Sequence, residues 1–512
     1  MKKLILLVSL LSFSMHSQNV TVNSGRSFTI QSTSSLTVGG NFTNTAGTVT
    51  LNSSSDEFSS LLVSGASSGD ITYNRYVNIV GTGDWDLVGA PVSGMAFSSL
   101  ITDANIATNG SGVYAVGAYD NSLDTWTNAT NATTGDLALG QGYQMATTNG
   151  GTLSFTGAIA NGDQSVIINN NNAANSGSGR RWNLIANPFA SYLHGNTNAD
   201  GTNNFLTVNT AAIDDNFEAI YGWKADGTGY EIYNNSSTTT YIAPGQGFFV
   251  AAAGSGADQT ISFTQAMQTV TGADDFISGR IMNPTSSEFL LKLYEDEILI
   301  DNTRFYFDND LTLGLDPGYD AGHFNQDASL MSRLVEEDEG IGFAINAMGS
   351  DALGGVSIPL EVNQLSNVPF RISLEDSSIA PDIEVQLEDR LLETLTLLND
   401  EDFTLTAEDD LIGIGRFYLH LGNVTLGVND PEDSYVRVYK PNNSDYIAIE
   451  GLVNIQKARI KLYNLIGQEI IHKVLSNNQT NYRISTQGIP QGVYVIKLQF
   501  ENSKITKKLI IN

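Results

Sequence analysis

The chain has 512 residues, with 55 acidic against 25 basic side chains and a formal net charge of −30. Such a surface repels nucleic acid and anionic membranes, so neither is expected as a partner. There is no cysteine, which excludes disulfide staples, a lipid-modified N-terminal cysteine and thiolate metal sites.

Lys2-Lys3 precede an apolar run from Leu4 to Phe13, too short to span a bilayer. Ser12, Ser14 and Ser17 supply small residues for cleavage. Residues 1–17 are read as a secretory signal, cut before Gln18 or, alternatively, after Ser14. No later segment is long and apolar enough to form a membrane-crossing helix. The length predicts several domains. Short β-branched runs between Gly and Asn clusters predict an all-β chain throughout.

In residues 18–78 the runs Val20-Thr-Val22, Phe28-Thr-Ile30, Leu36-Thr-Val38, Val49-Thr-Leu51 and Leu61-Leu-Val63 recur between turn residues. This spacing suits stacked solenoid rungs, with the edge of a β-sandwich as the alternative. The segment resembles the short β-helical lead-ins of bacterial surface adhesins.

Residues 79–274 hold an internal repeat. Trp85-Asp-Leu-Val-Gly-Ala-Pro91 matches Trp182-Asn-Leu-Ile-Ala-Asn-Pro188, and Gly140-Gln-Gly142 matches Gly245-Gln-Gly247. Leu153-Ser-Phe155 pairs with Ile261-Ser-Phe263. Each Trp-x-Leu strand is expected to bury its Trp and aliphatic residues, and the following Pro ends the ladder. Gly-Gln-Gly before an aromatic is expected to form a tight turn into a strand. Trp126 and Trp223 each lie 41 residues after the first Trp of their copy, but alignment on Gly-Gln-Gly places Trp126 nearer Tyr230. The two copies are expected to make one pseudo-symmetric β unit, and the series resembles a module of large proteins that carry the tail described below.

Residues 275–428 are expected to form an acidic β-sandwich; from 276 to 430 there are 30 acidic and 7 basic residues. Leu387, Leu391, Leu395 and Leu398 fit one helical stripe, but their context favours strand-turn-strand. Asp308, Asp310, Asp316 and Asp320 cluster among turn residues, with Asp327 beyond them. Oxygen-rich loops suit a structural Ca²⁺, although the spacing fails the EF-hand pattern, and carboxylates that cap turns are the alternative. Val428 to Ser434, holding Asn-Asp-Pro-Glu-Asp, reads as a linker.

Residues 429–512 carry the clearest signal. Val436-Arg-Val-Tyr-Lys440, Ala458-Arg-Ile-Lys-Leu-Tyr-Asn-Leu-Ile-Gly-Gln468, Gly492-Val-Tyr-Val-Ile-Lys-Leu498 and Lys507-Lys-Leu-Ile-Ile511 alternate apolar and polar residues between turns, which predicts a small antiparallel, Ig-like sandwich. In this order the series resembles the C-terminal sorting domain of the type IX (Por) secretion system of Bacteroidetes-type bacteria. It departs from the family in its opening turn, Tyr439-Lys-Pro-Asn-Asn443. The resemblance implies recognition by the outer-membrane machinery, removal of the tail, and a body that is anchored to surface glycolipid or released. Gly467, Gly492, Tyr494, Lys497, Lys507 and Lys508 are the candidate sorting residues.

The body offers little that reads as catalysis. Gly65-Ala-Ser67-Ser-Gly69 matches the nucleophile-elbow pattern but lies in a strand-rich stretch. His194, His323, His420 and His472 are scattered. No phosphate loop, dinucleotide fingerprint or cofactor motif occurs. Trp126, Trp223 and Tyr230 lie in Asn/Gly/Asp-rich surroundings and are a possible ligand surface. The expectation is a non-catalytic cell-surface or extracellular protein, structural or adhesive, that meets glycans or other surface proteins. A carbohydrate-binding accessory protein is the alternative and a secreted hydrolase the third reading.

Overall fold

A computed structural model describes residues 14–81, 85–171, 178–224, 229–254, 257–272, 274–275, 287–422, 436–440, 444–452, 457–475, 481–500 and 503–511. The chain is all-β and divides into two bodies, residues 1–281 and 282–512. The expected export signal lies outside the described residues except for Ser14–Ser17, a strand paired in parallel with Ser35–Val38. The expected linker at 428–434 also lies outside them.

In the first body, short Thr-rich strands gain a core by stacking. Val20–Asn23 lies parallel to Phe42–Thr45, and Phe42–Thr45 to Ser67–Ser68. Ser27–Ile30, Thr48–Asn52 and Asp70–Val77 stack in the same way. Partners recur 21 to 25 positions apart, as in Ser27↔Thr48 and Ser35↔Ser60. Val38, Phe42 and Leu51 fill the interior. Side-chain amides stack along the solenoid: Asn74 Nδ2 donates to Asn52 Oδ1 at 2.9 Å, and Asn52 Nδ2 to Gln31 Oε1 at 3.2 Å. At another corner Asn19 Oδ1 accepts from the Asn41 amide and Asn41 Oδ1 from the Ala66 amide. The abundant Asn therefore satisfies polar groups at the turns between rungs. Gly151–Ala158 pairs antiparallel with Asp70–Val77 and covers that sheet's edge.

The two repeat copies build four-stranded sheets of identical order. In the first, Asp86–Val88, Tyr143–Met145, Val113–Asp120 and Thr125–Thr130 are neighbours; in the second, Trp182–Ala186, Gly247–Ala251, Ile220–Trp223 and Tyr230–Tyr233. The copies grip one another reciprocally. Gln141 of the first turn bridges to Ile185 in the second copy, and Gln246 of the second turn bridges to Val88 in the first. The Gly142 amide donates to the Leu184 carbonyl at 3.2 Å, and the Gly89 amide to the Gly245 carbonyl at 2.8 Å. Gln141 Nε2 adds a bond to the Leu184 carbonyl at 2.9 Å. The backbones are close enough to require glycine. A Cβ on Gly142 would lie 2.8 Å from the Ile185 carbonyl oxygen, and one on Gly247 2.7 Å from the Leu87 carbonyl carbon.

Trp182 is buried against Phe217 and Tyr221. Trp85, expected to be buried like it, is only half-buried and packs against Ala107, Ala115 and Ala146. Three methyl groups cover less of an indole than two aromatic rings do. Asn187, which precedes Pro188 in the second copy where the first has Ala90, is fully buried. Its Nδ2 donates to the carbonyls of Ser191, Ile242 and Ala243, while its Oδ1 accepts from the Phe189 amide.

In the second body, residues 287–422 form one 11-stranded, barrel-like sheet that curls over its own core. Phe403 sits in the strand at one end of the sheet order. It meets Phe417, from the third strand in from the other end, ring to ring at 5.7 Å. The leucine stripe is strand-turn-strand, Val385–Asp389 paired with Thr394–Leu397. The tail is a sandwich of two antiparallel sheets. One contains Arg437–Tyr439, Tyr446–Glu450 and Tyr482–Ser485; the other contains Glu469–Leu475, Ala458–Asn464, Gly492–Phe500 and Ser503–Ile511. Ile449, Ile460, Leu462, Ile496 and Leu498 fill its core.

Because the copies meet backbone to backbone, Gly247→Ala is expected to cost roughly 1–3 kcal/mol in urea unfolding. Gly201→Ala, where the added methyl group meets nothing within 4 Å, is expected to stay within about 0.5 kcal/mol of the parent. Equal effects at the two positions would refute the close-approach argument.

Candidate functional site

Equivalent hairpins of the two repeat copies each carry one aromatic cross-strand pair, Tyr119↔Trp126 and Trp223↔Tyr230. The sheet orders equate Trp126 with Tyr230 and Tyr119 with Trp223, which is the alignment anchored on Gly-Gln-Gly. Both pairs converge on Phe249. Its ring centroid lies 5.1 Å from Tyr119, 6.2 Å from Trp126 and 5.9 Å from Tyr230. Trp223 stacks edge-on to Tyr230 at 5.0 Å. The three aromatics singled out in the sequence therefore belong to one cluster. Sequence reasoning missed Tyr119 and Phe249, although Phe249 follows directly from the Gly-Gln-Gly-Phe-Phe motif.

The cluster is graded in exposure. Phe249 is buried, Tyr119, Trp223 and Tyr230 are half-buried, and Trp126 keeps 38% of its surface. Tyr119 Oη donates to Asp124 Oδ1 at 2.7 Å. Burial, with Asp124 beside it, raises the Tyr119 phenol well above its ordinary range, and burial does the same for Tyr230. Both phenols stay protonated as donors. Stacked rings with a hydroxyl and a carboxylate at their rim can offer apolar faces and directional hydrogen bonds to one ligand.

The elbow-like Ser67 lies in a two-residue solenoid strand, its hydroxyl 3.4 Å from the Ile159 carbonyl oxygen. His420 bonds Glu388 at 2.9 Å and His323 bonds Asp301 at 3.2 Å, each on the curled sheet.

In the tail, Gly467 supplies φ +83° to the turn after Ala458–Asn464. Tyr494 is buried, and its hydroxyl donates to the Pro490 carbonyl at 2.8 Å. Lys497 lies over the Tyr463 ring at 5.2 Å. Gly492 opens the strand Gly492–Phe500 and pairs with Ile511. Lys508 is exposed. Lys507 is exposed too, but partial desolvation lowers its pKa against the pull of Asp338 and Glu339, and Arg437 adds to the lowering. The candidate sorting residues thus divide between turn formation, core closure and a polar face.

The aspartates of 308–320 are arranged as turn caps. Asp308 Oδ1 accepts from the Asp310 amide at 3.3 Å, with Asp308 and Asp310 both exposed. Asp316 Oδ2 accepts from the Thr312 amide at 2.7 Å and from its hydroxyl. Asp320 is fully buried and accepts from the Asp316 and Ala347 amides, each at 2.7 Å. Among the described residues, no three His, Asp or Glu side chains stand together as a metal-holding group. Burial pushes the Asp320 carboxyl up to about 8, against the pull of its two amide donors. Its folded pKa exceeds its unfolded value, so its contribution to stability is lost as pH rises from about 4 through about 8. Asp320→Asn is expected to lose less stability than the parent between pH 5 and 8.5, by about 1 kcal/mol or more in urea unfolding. Parallel pH profiles would refute a buried, proton-holding Asp320.

No curated protein matches this chain. Residues 438–512 match the secretion system C-terminal sorting domain, the segment whose strands and turns are described above. That tail directs export by the type IX route to the cell surface or the extracellular space and implies contact with the type IX machinery. Residues 7–420 match a family described as a domain of unknown function, DUF8693. The chain belongs to the DUF8693 family and carries a type IX sorting domain at its C-terminal end.

Proposed function

We propose that the exported body is a non-catalytic adhesive protein and that its ligand is a carbohydrate held at the aromatic cluster. The observation that supports this most is the convergence of Tyr119, Trp126 and Tyr230 on Phe249 from two equivalent hairpins, with Trp223 packed edge-on to Tyr230. In the second copy Trp182 already packs in the core against Phe217 and Tyr221. The hairpin aromatics lie outside that contact, and Trp126 keeps an open face. Sugar rings present axial C–H faces that stack on such aromatics, while their hydroxyls accept or donate at a polar rim. The solenoid and the repeat would serve as a rigid stalk and platform.

Glycan-array binding of the full chain, followed by titration against the strongest hit, tests this reading. Saturable binding is expected, with Trp126→Ala weakening it tenfold or more while leaving the thermal midpoint within about 2 °C. A chain that binds no glycan, or an alanine variant that binds equally well, refutes the site.

Export is separable from adhesion. Deleting residues 436–512 is expected to leave the body in the periplasm of the native host, read by fractionation. Delivery of the truncated body to the surface or the medium would show that export does not depend on the tail.

A further inference from the structure

We propose that the curled acidic sheet carries a built receptor for the sorting domain, so that the two remain a non-covalent pair when the chain between them is cut. The centre of this receptor is Arg333, whose side chain is 2% exposed. Its Nε and Nη2 both donate to Asp338 Oδ1, at 3.1 and 3.0 Å, and its Nη1 to Glu361 Oε2 at 3.2 Å. These partners belong to the sheet. The sorting domain adds two more: Glu450 Oε2 lies 3.6 Å from Nη1, and the Tyr439 ring centroid lies 5.5 Å from the guanidinium carbon. Tyr439 Oη donates to Glu450 Oε1 at 2.9 Å, which ties the two tail residues together.

The surroundings are shaped for this occupant. Gly340 has φ +89°, and a Cβ there would lie 2.0 Å from Cε2 of the Tyr439 ring. The sheet therefore leaves an aromatic-sized recess where only glycine fits. Arg437 Nη2 donates to the Val335 carbonyl at 3.0 Å. Asn481 Nδ2 donates to the Ile412 carbonyl at 3.0 Å. A Cβ on Gly415 would lie 2.6 Å from the Gly451 Cα, so a second glycine marks a second close approach. Asp338 and Glu339 of the sheet lie near Lys507 of the tail.

A surface ion pair alone would hold nothing. Here a charge is removed from water and shared between carboxylates of both parts, an aromatic side chain fills a recess, and tail side chains donate to two backbone carbonyls of the sheet. Separation would strip Glu450 and the Tyr439 ring from Arg333, leave Glu450 without its cation, and open the recess at Gly340, which is costly. Scission and release are therefore distinct steps, and the tail leaves only when something displaces it from Arg333.

The test uses the full-length protein with a protease recognition sequence exchanged into residues 423–435. After complete cleavage, size-exclusion chromatography at about 5 µM in physiological salt is expected to return both fragments in one peak. Tyr439→Ala on the tail and Gly340→Ala on the sheet are each expected to weaken the pairing tenfold or more. Near-UV circular dichroism of the uncut variants checks that each still folds, and one folded variant is enough for the comparison. Fragments of the parent that separate on cutting would overturn the proposal. So would a folded variant whose fragments pair as tightly as those of the parent.

Discussion

The first body depends on a constraint of distance: two backbones must come within van der Waals contact, and only glycine permits it. Gly89, Gly142, Gly245 and Gly247 stand where the Gly-Gln-Gly turn of each copy meets the Trp-x-Leu strand of the other. The exchange is reciprocal, so neither copy completes its edge without its partner. The same geometry decides what the hairpins can do. With the copies locked in this relation, the Tyr119↔Trp126 and Trp223↔Tyr230 pairs reach Phe249 together. Two aromatic pairs about a hundred residues apart in the chain become one cluster because four positions lack a side chain.

A second constraint is charge. In a chain with 55 acidic and 25 basic residues, a cation in the interior is scarce, and each one organises its surroundings. Arg75 pairs with Asp275 at 2.7 Å beneath the Phe58 ring. Arg304 pairs with Glu288. Arg416 holds Asp389 through two parallel bonds of 2.9 and 2.7 Å. Such pairs add little net stability compared with apolar substitutes, because desolvation offsets their attraction. They do fix which strands meet, since a mispaired arrangement would strand a charge. Arg333 extends this logic beyond its own sheet, because one of its carboxylates comes from the tail.

Much of this was legible in the sequence, and the limits have physical causes. Strand alternation is a local property, so Ala458–Asn464 and Gly492–Phe500 could be read directly. The solenoid could be read from spacing, because stacking demands recurrence. The repeat could be read from motif identity, and alignment on its glycines correctly set Trp126 beside Tyr230 rather than Trp223. What could not be read is pairing between distant residues of ordinary type. Nothing local distinguishes Arg333 from Arg371, which is half-buried and bonded to Asp402 and Glu297, yet their roles differ. The aspartates of 308–320 stand out because oxygen density is visible in sequence, whereas the amide donors that engage Asp316 and Asp320, such as that of Ala347, are not.

Alternation also explains how the tail presents two different faces. Ile460, Leu462, Ile496 and Leu498 turn inward. The intervening residues align across the strands in rows: Arg459 beside Gln499 and Lys504, Lys461 beside Lys497 and Thr506, Tyr463 beside Val495 and Lys508. Like charges directly opposed, as in Lys461 and Lys497, weaken a sheet. Here the cost is moderated by Glu469, 2.9 Å from Lys461, and by the Tyr463 ring under Lys497. A period of two allows no compromise: placing these cations outward is the only register that also closes the core. The tail's basic face and its apolar core are therefore one feature of the sequence.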